Sequence, residues 1–339
     1  MTSLPQAQAL GGAAPVSTRS ITAEALGGGA RWRWWEFGIV AALALSWFVL
    51  PTHSLIATEI LVLALFALSL DLVLGYAGVV SLGHAAFFGV GAYGAALFAK
   101  HVMPDPLVGL AFAMGLSALL GLVTSPLILR GSDLTRLMVT LGVASVLYEL
   151  ANRFDQWTGG ADGLQGVVMG PLLGRFEFDL QGRVAHAYAL VVLLVALYLC
   201  RRLVHSPFGV SLQALRDNRL RASAIGIHVN ARIVAVYTWA GALAGAAGAL
   251  LAQTTGFASL DVLEFHRSAD VLLVLVIGGT GYLYGGIVGA VAFKLLHDLL
   301  AAWTPQYWTF WIGAFLVVLM LVGRDRLLRP WTWWRRRTA

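Results

Sequence analysis

Long apolar runs, separated by short polar or glycine-rich punctuation, set the rhythm of this chain. No Asp, Glu, Lys or Arg occurs in 37–58, 72–99, 106–129, 184–200, 233–260, 271–293 or 299–323. About 20 largely apolar residues in helical form cross the hydrocarbon core of a bilayer. The runs predict about ten membrane spans, near 36–51, 55–75, 79–99, 106–129, 134–152, 185–203, 231–252, 269–286, 287–301 and 307–323. Gly is dense in 79–99 and 269–301, so broken or re-entrant helices are expected there. Two intervening stretches, 153–184 and 204–230, exceed a tight turn, and loops of that length usually carry function.

Composition agrees with an all-α membrane protein and excludes a water-soluble globule. Of 339 residues, 59% are hydrophobic and 12% charged, against roughly 25% charged in an average soluble domain. The net charge of +6 is a topology signal rather than a nucleic-acid signal. With the N-terminus placed inside, 17 of the 23 Lys and Arg fall on the cytoplasmic side and five outside, with Lys294 inside a span. That bias predicts cytoplasmic termini and a multi-pass protein of the cell inner membrane, in contact with lipid headgroups. Trp32, Trp34, Trp35, Trp331, Trp333 and Trp334 flank the spans where amphipathic rings prefer the interface. Residues 1–30 lack a charged segment followed by an apolar one and are expected to be a disordered cytoplasmic lead-in. Residues 31–323 are expected to form one polytopic transmembrane domain, and 324–339 a basic cytoplasmic tail. The single cysteine, Cys200, cannot form an internal disulfide.

Several motifs resemble chemistry without its context. Gly89-Val90-Gly91-Ala92-Tyr93-Gly94 fits G-x-G-x-x-G, but it lies inside an uncharged run without the strand and ribose-binding acid of a dinucleotide site. No P-loop exists, because Lys100 precedes His101 and Lys294 precedes Leu295. The chain is therefore expected to carry no cofactor, and any ATP chemistry must come from a partner. His266 with Asp270, and His297 with Asp298, read as polar residues near span ends, since no metal-spaced cluster surrounds them. Ser81 and His84 lack the third group of a hydrolase, so no enzyme is expected.

Two segments remain informative. Residues 75–93 (GYAGVVSLGHAAFFGVGAY) combine small residues with Ser and His. Such a segment is either close helix packing or a broken helix lining a route. Residues 206–227 (SPFGVSLQALRDNRLRASAIGI) open on Ser206-Pro207 and place Leu212, Leu215, Ala222 and Ile225 on one stripe beside Arg residues. A short helix of this kind docks in another protein's groove or lies at the lipid headgroups.

These segments resemble the signature regions of LivM-type permeases, the membrane subunits of branched-chain amino acid ABC importers. Further stretches agree in order: Leu129-Arg130-Gly131 with Met138-Val139-Thr140-Leu141-Gly142, Thr158-Gly159-Gly160-Ala161-Asp162-Gly163-Leu164, and Leu275-Val276-Ile277-Gly278-Gly279-Thr280-Gly281 with Gly285-Gly286 and Gly289-Ala290. The resemblance covers about 55–320 and implies a type-II-like importer fold with broken helices. It implies partners: a homologous permease (as hetero- or homodimer), two cytoplasmic ATPases and a periplasmic binding protein. It makes 207–226 a cytoplasmic coupling helix, with Arg216, Asp217, Asn218, Ala222 and Gly226 coupling to the ATPase. The translocation pathway would use Ser81, Gly83, His84, Phe87, Phe88 and Tyr93, and the binding protein would meet Thr158, Gly159, Gly160 and Asp162. Leu220 replaces the family's usual acid, which leaves the coupling motif incomplete, while Val79 replaces a frequent Gln and Asp71 a frequent Asn near the pathway; related permeases share these motifs, so urea, short amides and aromatic acids stay open as solutes. A stand-alone ion-coupled transporter would need intramembrane ionisable groups, for which Asp71 and Lys294 are the deep candidates.

Overall fold

The structure is a computed structural model that describes residues 34–49, 53–129, 133–179, 181–307, 310–315 and 317. The N-terminal lead-in, the basic tail and most of the 307–323 span lie outside the described residues. Among the described residues the fold is helical, with two isolated β-bridges, Leu164 to Ala258 and Leu172 to Phe176.

The long helices of the first part of the chain are α1 (Trp34–Val49), α2 (Ser54–Asp71), α3 (Ala85–His101), α4 (Pro106–Leu129), α5 (Asp133–Arg153) and α6 (Arg183–Val204). Two short helices follow, α7 (Pro207–Asp217) and α8 (Arg219–Ala224). Then come α9 (Val229–Thr255), α10 (Phe265–Gly278) and α11 (Gly285–Trp303). Six of these are long and apolar enough to cross a membrane: α2 with its extension to Tyr76, α4, α5, α6, α9 and α11. The glycine-dense segments are broken, as the sequence predicts. The expected 79–99 span becomes helical only at Ala85, and the expected 269–286 span stops at Gly278 before the non-helical stretch 279–284.

Helix α9 is the axis of the bundle, packed on α4, α3 and α2. Its composition explains the position. Ala240, Ala244, Ala247, Ala249 and Ala252 are fully buried, and three glycines remove side chains where backbones meet. A methyl on Gly248 would collide with the Phe88 carbonyl, and one on Gly91 of α3 with the Gly245 backbone. Water is absent from the bilayer core, so helix association there rests on close van der Waals packing, which small residues permit.

Helix α1 is joined to α6 by a buried ion pair, Arg201 Nη2 to Glu36 Oε2 at 3.1 Å. Both side chains are under one-tenth exposed, so each compensates the other's lost hydration.

Candidate functional site

Two breaks in the helical ladder cross each other near the end of the bundle that carries α7 and α8. Helix α2 widens into a π-turn over Leu72–Tyr76 and then leaves helical form until Ala85. Irregular backbone at membrane depth needs every polar group met by protein. Val79 N–H donates to Val73 O at 2.9 Å, Leu82 N–H to Thr140 Oγ1 at 3.3 Å, and Ala85 N–H to Ser268 Oγ at 2.8 Å. Gly83 packs so closely on the Thr140 carbonyl that a methyl would collide with it.

The second break runs from Gly279 to Tyr284, with Gly279 and Gly281 in the left-handed region at φ +97° and +78°. Gly281 N–H donates to Asp71 Oδ1 at 2.7 Å, locking one break to the end of α2. Asp71 is 1% exposed, and its Oδ2 has no hydrogen-bond partner among the described residues. From the cytoplasmic candidate helix α7, Arg216 Nη1 donates to Gly75 O at 2.5 Å. Its stem lies against Gly78, where φ is +66°, and its head lies against Gly281. One α7 side chain therefore touches both breaks.

The 206–227 segment is two helices rather than the single one expected. Asn218 is extended (φ −162°, ψ 108°), and its Oδ1 accepts the Arg221 N–H at 2.9 Å, capping α8. A side chain that caps a helix start competes with continuing the preceding helix, which is why the pair divides here. Of the apolar stripe, Leu212, Leu215 and Ala222 are buried, while Ile225 is exposed. Gly226 ends α8 at φ +88°, with Ile227 N–H donating to Ala222 O and Gly226 N–H to Ser223 O. That is a Schellman cap, which only glycine enters without strain. Asp217 is exposed at the α7 terminus, beside a groove of about 260 Å³ lined by Ala214, Asn218, Arg221 and Ile225 among others.

The residues expected to line a route fall in the same neighbourhood but in packed surroundings. His84 is fully buried, with Nε2 2.9 Å from Ser69 Oγ, its ring stacked on Phe66 and edge-on to Phe87. Phe87 continues to Tyr237, ring centroids 5.1 Å apart. Ser81 and Tyr93 are also buried, and Gly83 sits on the first break. Phe88 alone of the six also lines a cavity of about 630 Å³ between α2, α3, α9, α10 and α11.

That cavity brings Glu59 and Asp261, which the motifs do not mark, together with Lys294 and His266, which they do. Lys294 Nζ pairs with Glu59 Oε2 at 2.6 Å and with Asp298 Oδ1 at 3.3 Å. On the facing side Asp261 accepts from Arg267 Nε at 2.9 Å and pairs with His266 Nε2 at 2.8 Å. The available signal was the isolation of Glu59 and Lys294 within otherwise apolar spans.

At the opposite end of the bundle, residues 154–179 form a loop held by hydrogen bonds. Thr158 Oγ1 donates to Ala151 O at 2.6 Å and accepts Gly160 N–H at 3.2 Å. Gly159 is left-handed and Gly160 buried, so these three residues shape the loop, while Asp162 is exposed. Leu164 N–H donates to Ala258 O at 2.7 Å, and Leu164 O accepts the Ala258 N–H at 3.3 Å. This ties the loop to the strand-like lead into α10.

A many-spanned helical bundle with interlocked broken helices and a short helix pair projecting from one end is the architecture of a membrane permease. Residues 53–322 match the family model described as "Branched-chain amino acid transport system / permease component". The chain is 30% identical over 318 residues to the high-affinity branched-chain amino acid transport system permease protein LivM of Salmonella typhimurium (strain LT2), covering 86% of this chain and 73% of that one. It is 29% identical to LivM of Escherichia coli (strain K12), with the same coverage. It is 28% identical to the autoinducer 2 import system permease protein LsrC of Enterobacter sp. (strain 638), covering 86% of this chain and 84% of that one. No solved structure matches it. The chain belongs to this family of ABC-importer permeases, whose members are multi-pass transport subunits rather than enzymes.

Proposed function

We propose that this chain forms half of the translocation pathway of an inner-membrane importer for branched-chain amino acids or a closely related small amphipathic solute. A homologous permease supplies the other half. Two cytoplasmic ATPases bind and hydrolyse ATP with magnesium, and a periplasmic binding protein delivers solute. Both termini are cytoplasmic, following the distribution of Arg and Lys.

The observation that carries this reading is the bond from Arg216 to the Gly75 carbonyl. It gives a displacement of α7 a direct mechanical route to both breaks. Docking of α7 and α8 in an ATPase groove through Asp217 and Asn218, with Ala222 and Gly226 holding the shape of α8 and Arg216 carrying the displacement to the breaks, would then bias the bundle between inward and outward access. Ser81, Gly83, His84, Phe87, Phe88 and Tyr93 form the packed hinge region of the route, and Thr158, Gly159, Gly160 and Asp162 present the loop that meets the binding protein. Purifying the chain from its native membrane and identifying the bound subunits tests this. Recovery of two ATPase chains and a second permease supports it, and recovery of the chain alone refutes it.

Two observations favour other solutes or energy sources. Similarity to an autoinducer 2 permease extends the related solutes beyond amino acids, and Asp71 and Val79 depart from residues frequent in the resembled family. The Glu59–Lys294 pair is an intramembrane ionisable pair of the kind ion-coupled transporters use. Uptake that survives without ATPases and collapses with the proton gradient identifies that mechanism.

A further inference from the structure

We infer that His266 is a proton-operated latch at the rim of the cavity, closed when its ring is protonated and slack when it is neutral, and that it steadies the surface that receives the binding protein. The latch stands on this chain alone, while its effect on docking rests on the permease reading above.

The donor count of the ring carries the idea. His266 Nε2 lies 2.8 Å from Asp261 Oδ1, and its Nδ1 lies 2.8 Å from Glu264 Oε2. A neutral imidazole has one N–H and one lone pair, so it donates to one carboxylate and turns its lone pair on the other. Both contacts are hydrogen bonds only in the imidazolium. The His266 side chain is half exposed, so protons reach it from solvent. Histidine is the side chain whose ordinary charge change falls between about pH 5 and 8.

The surrounding charges make that proton matter. The lead-in and α10 bring Asp261, Glu264, Arg267 and Asp270 to this cavity, α2 brings Glu59, and α11 brings Lys294, His297 and Asp298. Among the described residues, α3 and α9 line it only with Phe88 and Leu251, and α5, which also packs against the lead-in, adds nothing to the lining. Five carboxyl groups therefore face two permanent cations. Glu59 and Asp298 share Lys294, Asp261 holds Arg267, and Glu264 pairs with His266. Loss of the His266 proton sets Glu264 or Asp261 against a lone pair in a neighbourhood already short of positive charge. His266 is also the second residue of α10, where the helix N-terminus disfavours a cation. The two carboxylates hold the imidazolium against that field, so the latch is poised rather than permanent.

Its position links the cavity to the outer loop. Asp261 lies in the single turn Leu260–Leu263 and Glu264 directly before α10, so both carboxylates are on the lead-in while the imidazole is on the helix. Leu260, Val262 and Leu263 are buried, and Gly89 of α3 packs on Leu263. Release of the latch therefore loosens the lead-in without unfolding it. Upstream, Ala258 is bridged in both directions to Leu164 of the 154–179 loop, which carries the looseness outward.

The experiment uses the complete importer in lipid nanodiscs. Hydrogen exchange is read as protection factors, so that the intrinsic pH dependence of exchange cancels. Between about pH 5.5 and about pH 8, residues 256–266 of the wild type should lose about three- to fivefold in protection, the loss of one half-exposed charged contact. His266→Gln should be low at both pH values, and His266→Arg, a permanent cation, high at both. His297→Gln, on the facing wall beside Asp298, should keep the wild-type response. The affinity of loaded binding protein for the wild type should equal that for His266→Arg at the lower pH and fall below it by a similar factor at the higher one. Comparing variants at one pH removes the binding protein's own titration. Protection that does not change with pH in the wild type overturns the latch, as does a response that persists in His266→Gln or disappears in His297→Gln. A protection change with equal affinities at both pH values overturns its effect on docking. Failure of the chain to bring down ATPases overturns the permease reading but not the latch.

Discussion

Arg216→Met isolates the link between α7 and the helix breaks. Methionine keeps an unbranched apolar stem over Gly78, where the Arg216 Cγ already lies 2.8 Å from the position of a glycine methyl. What is lost is the charged donor to Gly75 O, 2.5 Å away. Hydrogen bonds to charged groups contribute about 1.5–3 kcal/mol in partly buried settings, a factor of roughly ten to one hundred in the equilibrium they bias. The bond joins α7 to the breaks, so its loss should appear in coupling rather than insertion. In proteoliposomes containing the whole importer, the variant should bind its ATPases and hydrolyse ATP at the basal rate. Stimulation of hydrolysis by loaded binding protein, and uptake with it, should fall about tenfold or more. Arg216→Lys should recover part of this, since an ammonium on a flexible stem can reach the same carbonyl. Normal stimulation and uptake in Arg216→Met would refute the link. A variant that lost ATPase binding altogether would show that Arg216 acts at the subunit surface instead.

Glu36→Gln leaves Arg201 buried without its counter-charge and should destabilise the purified chain by about 3–5 kcal/mol, read as a lower melting temperature in detergent; an unchanged melting temperature contradicts the buried pair. Gly226→Ala meets no atom within 4 Å but must adopt φ +88°, so it should cost about 1–2 kcal/mol. Hydrogen exchange should accelerate in α8 while the spanning helices stay unchanged, and uniform protection would argue against the cap. His84→Ala opens a void between Phe66 and Phe87 and should cost about 3 kcal/mol. Uptake measured at low temperature, where the complex stays assembled, separates a role in transport from a role in packing.

Much of the fold was legible because the bilayer imposes it. Spans such as 106–129 and 185–203 announced themselves by length and lack of charge, and the helices fall within a few residues of those positions. The breaks were legible as glycine density. Their crossing was not, because Asp71 and Gly281 are 210 residues apart and the bond runs to a backbone N–H, which any residue but proline supplies. The division at Asn218 was written in its capping ability, yet the apolar stripe running through it favoured one continuous helix. The cavity was hardest to see. Glu59, Asp261 and Lys294 come from three distant segments, and of these the sequence marks only Lys294, a lone charge inside a span.

The glycine contacts of α3 with α9 bear on how solute range can change over evolutionary time. Where Gly91 and Gly248 let two backbones touch, any side chain is an obstruction, so drift along that seam is closed to the protein. The walls contributed by α2 and α11 carry no such constraint at Leu63 or Phe293. Relatives importing different solutes are therefore free to diverge on one flank of the bundle while the other stays fixed. New specificity can then arise by changing side chains such as Leu63 and Phe293 while the glycine seams stay as they are.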